Sequence, residues 1–181
     1  WRWQSIDGAM MKAPLAQESV GPNPTDGEKN GSKRHLLVDG RGVPLSLVVT
    51  GANRHDVSQI EAVLDSIMVD RPNPPIRRHK HLCADAGYTG APALKVIEEH
   101  GYIPHVKGRG QEADELKRDP EKKPRRWVVA VAHSWFNRFR KLLVRYENLD
   151  RSFLALNHLA ASIMAFRNIK SGENNLRIGS Y

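Results

Sequence analysis

Asp7, in the run Ser5-Ile6-Asp7-Gly8, and Asp85, in Cys83-Ala84-Asp85-Ala86-Gly87-Tyr88, are the residues whose setting points most directly to chemistry. Two carboxylates brought side by side repel each other unless a cation lies between them. Mg²⁺ (or Mn²⁺) suits such a pair, since a hard ion takes oxygen ligands and keeps several waters. With a third carboxylate the site can hold two ions. One activates an attacking water or hydroxyl, and the other stabilises the leaving oxygen in phosphoryl transfer. Taken singly, each acid also has a plain structural reading: Asp7 as a strand-edge or turn carboxylate, Asp85 as a cap before Gly87.

A second candidate is electrostatic. The chain of 181 residues carries 28 Lys plus Arg against 20 Asp plus Glu, a formal charge of +8. Between His105 and Arg145 there are 12 basic and 5 acidic residues, and from Arg125 to Arg145 six basic residues and no acid. A field so concentrated suits a polyanion, most often nucleic acid. Lys107, Arg109, Lys117, Arg118, Lys122 and Lys123 surround a segment without apolar periodicity, while Arg126, Arg138, Arg140 and Lys141 follow in the periodic segment after it. These are sensible phosphate contacts.

Other reactive types are weaker candidates. His79 and His81 lie two apart, so they share one side of a strand, but no cysteine or acid completes a zinc pattern. His133 reads as a polar, DNA-facing residue. The single cysteine, Cys83, sits in an apolar strand where a reactive thiolate is disfavoured, and it excludes an internal disulfide. Trp127 and Trp135 have spacing that suits core packing.

Positioning these groups requires a scaffold, and the apolar spacing supplies one. Trp1 to Met11 reads as a short strand with Trp3, Ser5 and Asp7 on one side. Residues 11–33, rich in Gly, Pro, Asn, Ser and Thr, read as a long loop. His35–Asp39 and Val43–Thr50 read as strands joined by Asp39-Gly40-Arg41-Gly42, a hairpin signal because glycine tolerates positive φ. A helix follows over His55–Met68, a Pro-rich linker over Arg71–Ile76, a strand over His79–Asp85, a helix over Pro92–His100 and a strand over Tyr102–Val106. Residues 107–124 form a charged insertion. Val128, Val131, Trp135, Phe139, Leu142 and Tyr146 predict one long helix over Arg126–Glu147. A last helix spans Arg151–Phe166, and residues 168–181 read as a loose tail.

Three antiparallel strands followed by two strands reached through helices imply a mixed five-stranded sheet flanked by helices, an α/β class. The ribonuclease H-like fold has this order, and its first and fourth strands are neighbours, which would bring Asp7 and Asp85 together. Hydrophobic residues at 40% exclude wholesale disorder. No apolar run approaches the roughly 20 residues of a membrane span, so a membrane partner is not expected and a cytoplasmic setting is. Starting on Trp1, the chain reads as a piece of a longer product.

The motifs resemble the DDE transposases of bacterial insertion sequences, in the group called insertion sequence five. The resemblance rests on SIDGAMMKAPL, GPNPTDGEKNGSKRHLLVDGRGVPLSLVVTGANRHD, LCADAGYTG, GYIPHVKGRG and RWVVAVAHSWFNRFRKLLVRYENLDRSFLALNHLAASIMAFR, in that order from Trp3 to Arg167. It implies a ribonuclease H-like catalytic domain over residues 1–167 that cuts and joins DNA with divalent metal, acting as a homo-oligomer at the element ends. Asp7 and Asp85 match the first two catalytic aspartates. The third acid is a glutamate four residues beyond an arginine; here the arginine is Arg126 and the glutamate's position is Ala130. The tyrosine and lysine of fuller signatures are replaced by Lys123 and Asn137. Helical spacing puts Ala130 on a face with Arg126, His133, Ser134, Asn137 and Lys141, polar except at Ala130. A lost or removed glutamate fits that face; Glu147, 17 residues further on and several turns away, is a poor substitute. The resemblance also implies a separate N-terminal DNA-binding segment.

Overall fold

The computed structural model describes residues 2–69, 79–106 and 127–178, with side chains described as far as residue 168. The linker at 71–76 and the insertion at 107–124 lie outside these residues, as do Lys107, Arg109 and Arg126.

Six strands form one mixed sheet: β1 (Trp3–Lys12), β2 (Gly21–Pro22), β3 (Asn30–Asp39), β4 (Pro44–Gly51), β5 (Lys80–Ala84) and β6 (Tyr102–Val106). β1 pairs antiparallel with β3 and parallel with β5; β3 also pairs antiparallel with β4, and β5 parallel with β6. Setting aside the two-residue β2, the spatial order is third, second, first, fourth and fifth strand. That is the ribonuclease H-like order. The sixth strand corrects the expectation of five: the segment expected as one long loop contains β2 and the start of β3, because Gly21 and Pro22 pair with Gly31 and Asn30.

The helices are α1 (Ile60–Asp65), α2 (Ala91–Glu99), α3 (Trp127–Phe136), α4 (Arg140–Leu143) and α5 (Asp150–Ile178), with 3₁₀ turns at Asp56–Gln59 and Ala86–Tyr88. Strand alternation divides the core between the two sheet faces. Leu36, Val38, Leu47 and Val49 pack against Val129, Phe136, Phe153 and Met164 of α3 and α5. On the other face Ile6, Leu37 and Leu45 pack against Val63, Leu64, Tyr88 and Ile97.

In the hairpin turn the left-handed glycine is Gly42, at φ +84°. Asp39 sets that turn by accepting from Arg41 N and Val43 N, both at 2.9 Å. The long helix expected to Glu147 breaks after Phe136, and the last helix continues to Ile178 instead of ending at Phe166. The end of the helical run before Glu147, at Leu143, has a tertiary cause. Val144 bridges to Lys12, Arg145 N donates to the Lys12 carbonyl at 2.8 Å, and the buried Arg145 guanidinium donates to Ser32 Oγ at 3.0 Å. Those contacts outweigh helix propensity, which amounts to a few tenths of a kcal/mol per residue.

Candidate active site

Parallel pairing of β1 with β5 sets Trp3 against His81, Gln4 against Leu82 and Ser5 against Cys83. Asp7 and Asp85 each stand two residues beyond the last of these pairs. Alternation therefore puts both carboxylates on the sheet face that α3 covers, at corresponding heights on neighbouring strands. Each is oriented by main chain: Gly8 N donates to Asp7 Oδ1 at 2.9 Å, and Gly87 N to Asp85 Oδ1 at 2.7 Å. Asp85 thus caps the Ala86–Tyr88 turn. Capping and facing the site are compatible tasks, because one carboxylate has two oxygens.

Tyr88 reports the local field. Its hydroxyl is buried and has no hydrogen-bond partner among the described residues. Burial, then the negative charges of Asp56, Asp7 and Asp85, push its pKa well above the usual tyrosine value. Three carboxylates therefore act on one buried hydroxyl.

The third of them, Asp56, is a residue that the sequence reading passed over as a helix start. It lies under β1 on the opposite face, against the Cα of Gly8, where an added Cβ would overlap Asp56 Oδ1. His35 Nδ1 is 3.2 Å from Asp56 Oδ1, and Lys33 Nζ is 3.4 Å from Oδ2 and donates to the Arg54 carbonyl at 2.7 Å. Burial works against the Asp56 charge, but His35 and Lys33 outweigh it and hold the pKa below the ordinary value. The signal was present in β3: Lys33 and His35 alternate on one side of a strand that runs on into Leu36, Leu37 and Val38, and cations buried there ask for an acid.

On the near face, α3 runs alongside β1. Val128 packs over Gly42, and three residues beyond Ala130 the His133 Nε2 lies 3.4 Å from the Asp7 carbonyl. Ala130 itself is exposed, and offers no oxygen. His133 is not the solvated, DNA-facing residue the spacing suggested: it is 6% exposed. Burial, then the Arg34 charge, lowers its pKa to about 3, against the raising effect of the Asp7 carbonyl. The buried stripe of α3 is Val128, Val129, Ala132, His133 and Phe136, rotated from the one expected, so Val131 and Trp135 are half-buried and Trp127 is 54% exposed.

Among the described residues no three His, Cys, Asp or Glu side chains gather as a metal site. Asp7 and Asp85 offer a pair. Glu147 is no substitute: Arg145 N bonds Lys12, five residues along β1 from Asp7, or roughly 16 Å at strand rise. His81 and His105 form their own cluster, with Nδ1 to Nε2 at 2.8 Å and His81 stacked on Trp3 at 4.3 Å. Cys83 is buried, as its strand suggested.

Of the basic residues, Arg138, Arg140 and Lys141 are exposed at the end of α3 and on α4. Arg145 is fully buried and does not belong to that surface. Trp135, Arg138, Phe139, Met164, Arg167 and Asn168 line a groove of about 450 Å³ between α3 and α5. No helix among the described residues is long and apolar enough to cross a membrane.

Residues 82–167 match the family described as the transposase DDE domain. Over 160 residues the chain is 31% identical to the transposase assigned to insertion sequence element IS402 of Burkholderia cepacia, covering 87% of this chain and 73% of that protein. Solved structures with distant likeness include a piggyBac transposase synaptic complex with hairpin DNA, at 16% identity and TM-score 0.37, over 68% of this chain and 27% of that one. Another is a pre-cleavage Mos1 transpososome, at 10% identity and TM-score 0.39, over 78% of this chain and 55% of the other. Asp85 and Ala130 both fall within the matched segment, and with 31% identity across most of both proteins the chain belongs to the DDE transposases.

Proposed function

We propose that this chain is the catalytic domain of an insertion-sequence transposase of the insertion sequence five group, built for metal-dependent DNA cleavage and strand transfer and inactive as written. The observation that carries the reading is the register of β1 and β5, which sets Asp7 and Asp85 on the face covered by α3, with Ala130 on that helix. Two carboxylates suit Mg²⁺ or Mn²⁺, and Asp7 and Asp85 would hold it. Such an ion supplies an activated water or hydroxyl nucleophile and stabilises the leaving oxygen of a phosphodiester. With alanine at 130, water must fill the third coordination position and a second ion lacks a fixed ligand.

DNA is the partner that the +8 charge supports, with Arg138, Arg140 and Lys141 on the described surface and Lys107, Arg109 and Arg126 as further contacts. We place the protein at the element ends as a homo-oligomer, in the bacterial cytoplasm, working with an N-terminal DNA-binding segment. Ala130 also favours a second reading, a transposase-derived DNA-binding or regulatory protein without catalysis.

The two readings separate in one assay. Ala130→Glu, joined to an N-terminal DNA-binding segment, should acquire Mg²⁺-dependent cleavage of element-end DNA that Asp7→Ala or Asp85→Ala abolishes. The alanine form should be about 10²- to 10³-fold slower, as expected when a positioned charge-stabilising group is missing. Equal cleavage by both forms would refute the missing-ligand account, and no cleavage by the glutamate form would favour the regulatory reading.

A further inference from the structure

Arg34 is one of the largest fully buried side chains in the protein, and among the described residues no carboxylate pairs with it. Its guanidinium instead reaches three neutral acceptors: Asn157 Oδ1 at 3.3 Å, Asn137 Oδ1 at 3.4 Å and His133 Nδ1 at 3.4 Å. The ring of Phe136 lies against it, 4.3 Å from centroid to Cζ. These partners sit on α3, on α5 and between α3 and α4, whereas Arg34 belongs to β3, opposite Ala9 and on the same side of the sheet as Asp7. A buried cation without an anion is costly. An apolar side chain would fill the place at less cost unless the hydrogen bonds themselves are needed.

A guanidinium can donate and never accept. Contact from Arg34 therefore makes His133 Nδ1 the acceptor, and the ring proton must sit on Nε2. Nε2 faces the Asp7 carbonyl at 3.4 Å, an oxygen that can accept and never donate. The two contacts demand the same tautomer, and together they run from β3 through α3 to the main chain of the first aspartate.

We infer that Arg34 is a positioning residue: by fixing the Nε2–H tautomer of His133 it docks α3, and with it position 130, onto β1 at Asp7. The catalytic consequence rests on the reading of Asp7, Asp85 and position 130 as the metal site, while the relay itself concerns hydrogen bonds and stands apart from it. A helix docked through apolar contacts alone can slide, whereas a directional contact one turn beyond position 130 limits that freedom where the third ligand must reach the metal.

The test reads the tautomer directly. In the full chain labelled with ¹⁵N-histidine, long-range ¹H–¹⁵N spectra at pH 7 should show His133 entirely as Nε2–H. Arg34→Met should turn this into a mixture, with the His35 signal on the other sheet face unchanged. Arg34→Lys, which keeps the charge but lacks the planar fork, guards against a misfolded methionine variant and should also release the tautomer. A native Nδ1–H form, or a tautomer indifferent to both variants, overturns the relay.

In the Ala130→Glu protein, Arg34→Met should slow cleavage at least about tenfold with DNA affinity changed less than twofold. His133→Gln, whose amide can accept from Arg34 and donate to the Asp7 carbonyl, should stay within about threefold. His133→Phe, which can do neither, should match Arg34→Met. Full cleavage by Arg34→Met would overturn the positioning role. If Ala130→Glu itself fails to cleave, the functional reading falls and the tautomer measurement still decides the relay.

Discussion

At Gly8 the missing side chain is as consequential as the carboxylate beside it. Asp56 approaches so closely that a Cβ would meet its Oδ1, and Lys33 Cδ lies 3.2 Å from the same point. Gly8→Ala should therefore cost about 1 to 3 kcal/mol, the usual range for overpacking. Part of that loss should return when Asp56→Ala is added, since the two changes share one contact. Urea unfolding of the four proteins measures the coupling, and strict additivity would show that the contact is not felt. His133 gives a pH signature on the other face. Unfolded, it takes a proton near 6.5, whereas folded it resists to about 3. The unfolded state then binds more protons between those values, so stability is lost as pH falls below 6.5. The loss should be on the order of 1 to 2 kcal/mol between pH 6.5 and 5, a window above the ordinary carboxylates. His133→Gln should remove that share, and an unchanged pH slope would show that His133 titrates normally in the folded protein.

Elements were most legible where a strong local period and a buried partner agreed. The strand carrying Asp7, the Asp39 hairpin and the Tyr102–Val106 strand lie where short apolar runs and the Asp-Gly turn placed them, because strands covered on both faces read as apolar runs bounded by turn residues. The helix expected from Arg126 to Glu147 failed for the opposite reason. Its apolar residues match helical spacing, but Arg145 is held by Ser32, by the Ser19 carbonyl and by Phe153, all distant in sequence or past the helix. A buried arginine reads in sequence as another surface charge, so nothing local announced the break. Arg145→Ala should accordingly destabilise by about 3 kcal/mol, through acceptors left unpaired in the interior. Tyr146→Ala, at a position 53% exposed although the expected stripe included it, should change stability by less than about 0.5 kcal/mol. Denaturant midpoints in the reverse order would restore the single long helix. The same limit hid Asp56: its partners Lys33 and His35 come from another strand, so the acid's burial is a property of the sheet and not of its own segment.

For the whole molecule, the sheet order brings together two acids that are 78 residues apart in sequence. Their pairing was legible because element order constrains topology, and the family motifs mark the same two residues. That position 130 holds an alanine among residues expected on a polar helix face could be read from the sequence, but the burial of His133 and Arg34 could not. Side-chain periodicity reports which face is apolar; it does not report a polar relay threaded through that face. In the proposed site Asp7 and Asp85 share one divalent ion, and a glutamate at position 130 would supply the third ligand. A Mn²⁺ titration followed by electron paramagnetic resonance addresses it without DNA and without turnover. The chain as it stands should bind one ion weakly; Ala130→Glu should tighten binding at least about tenfold, and Asp7→Asn or Asp85→Asn should abolish it in either background. Equal affinity with alanine or glutamate at 130, or Mn²⁺ retained after both aspartates are replaced, would contradict the account.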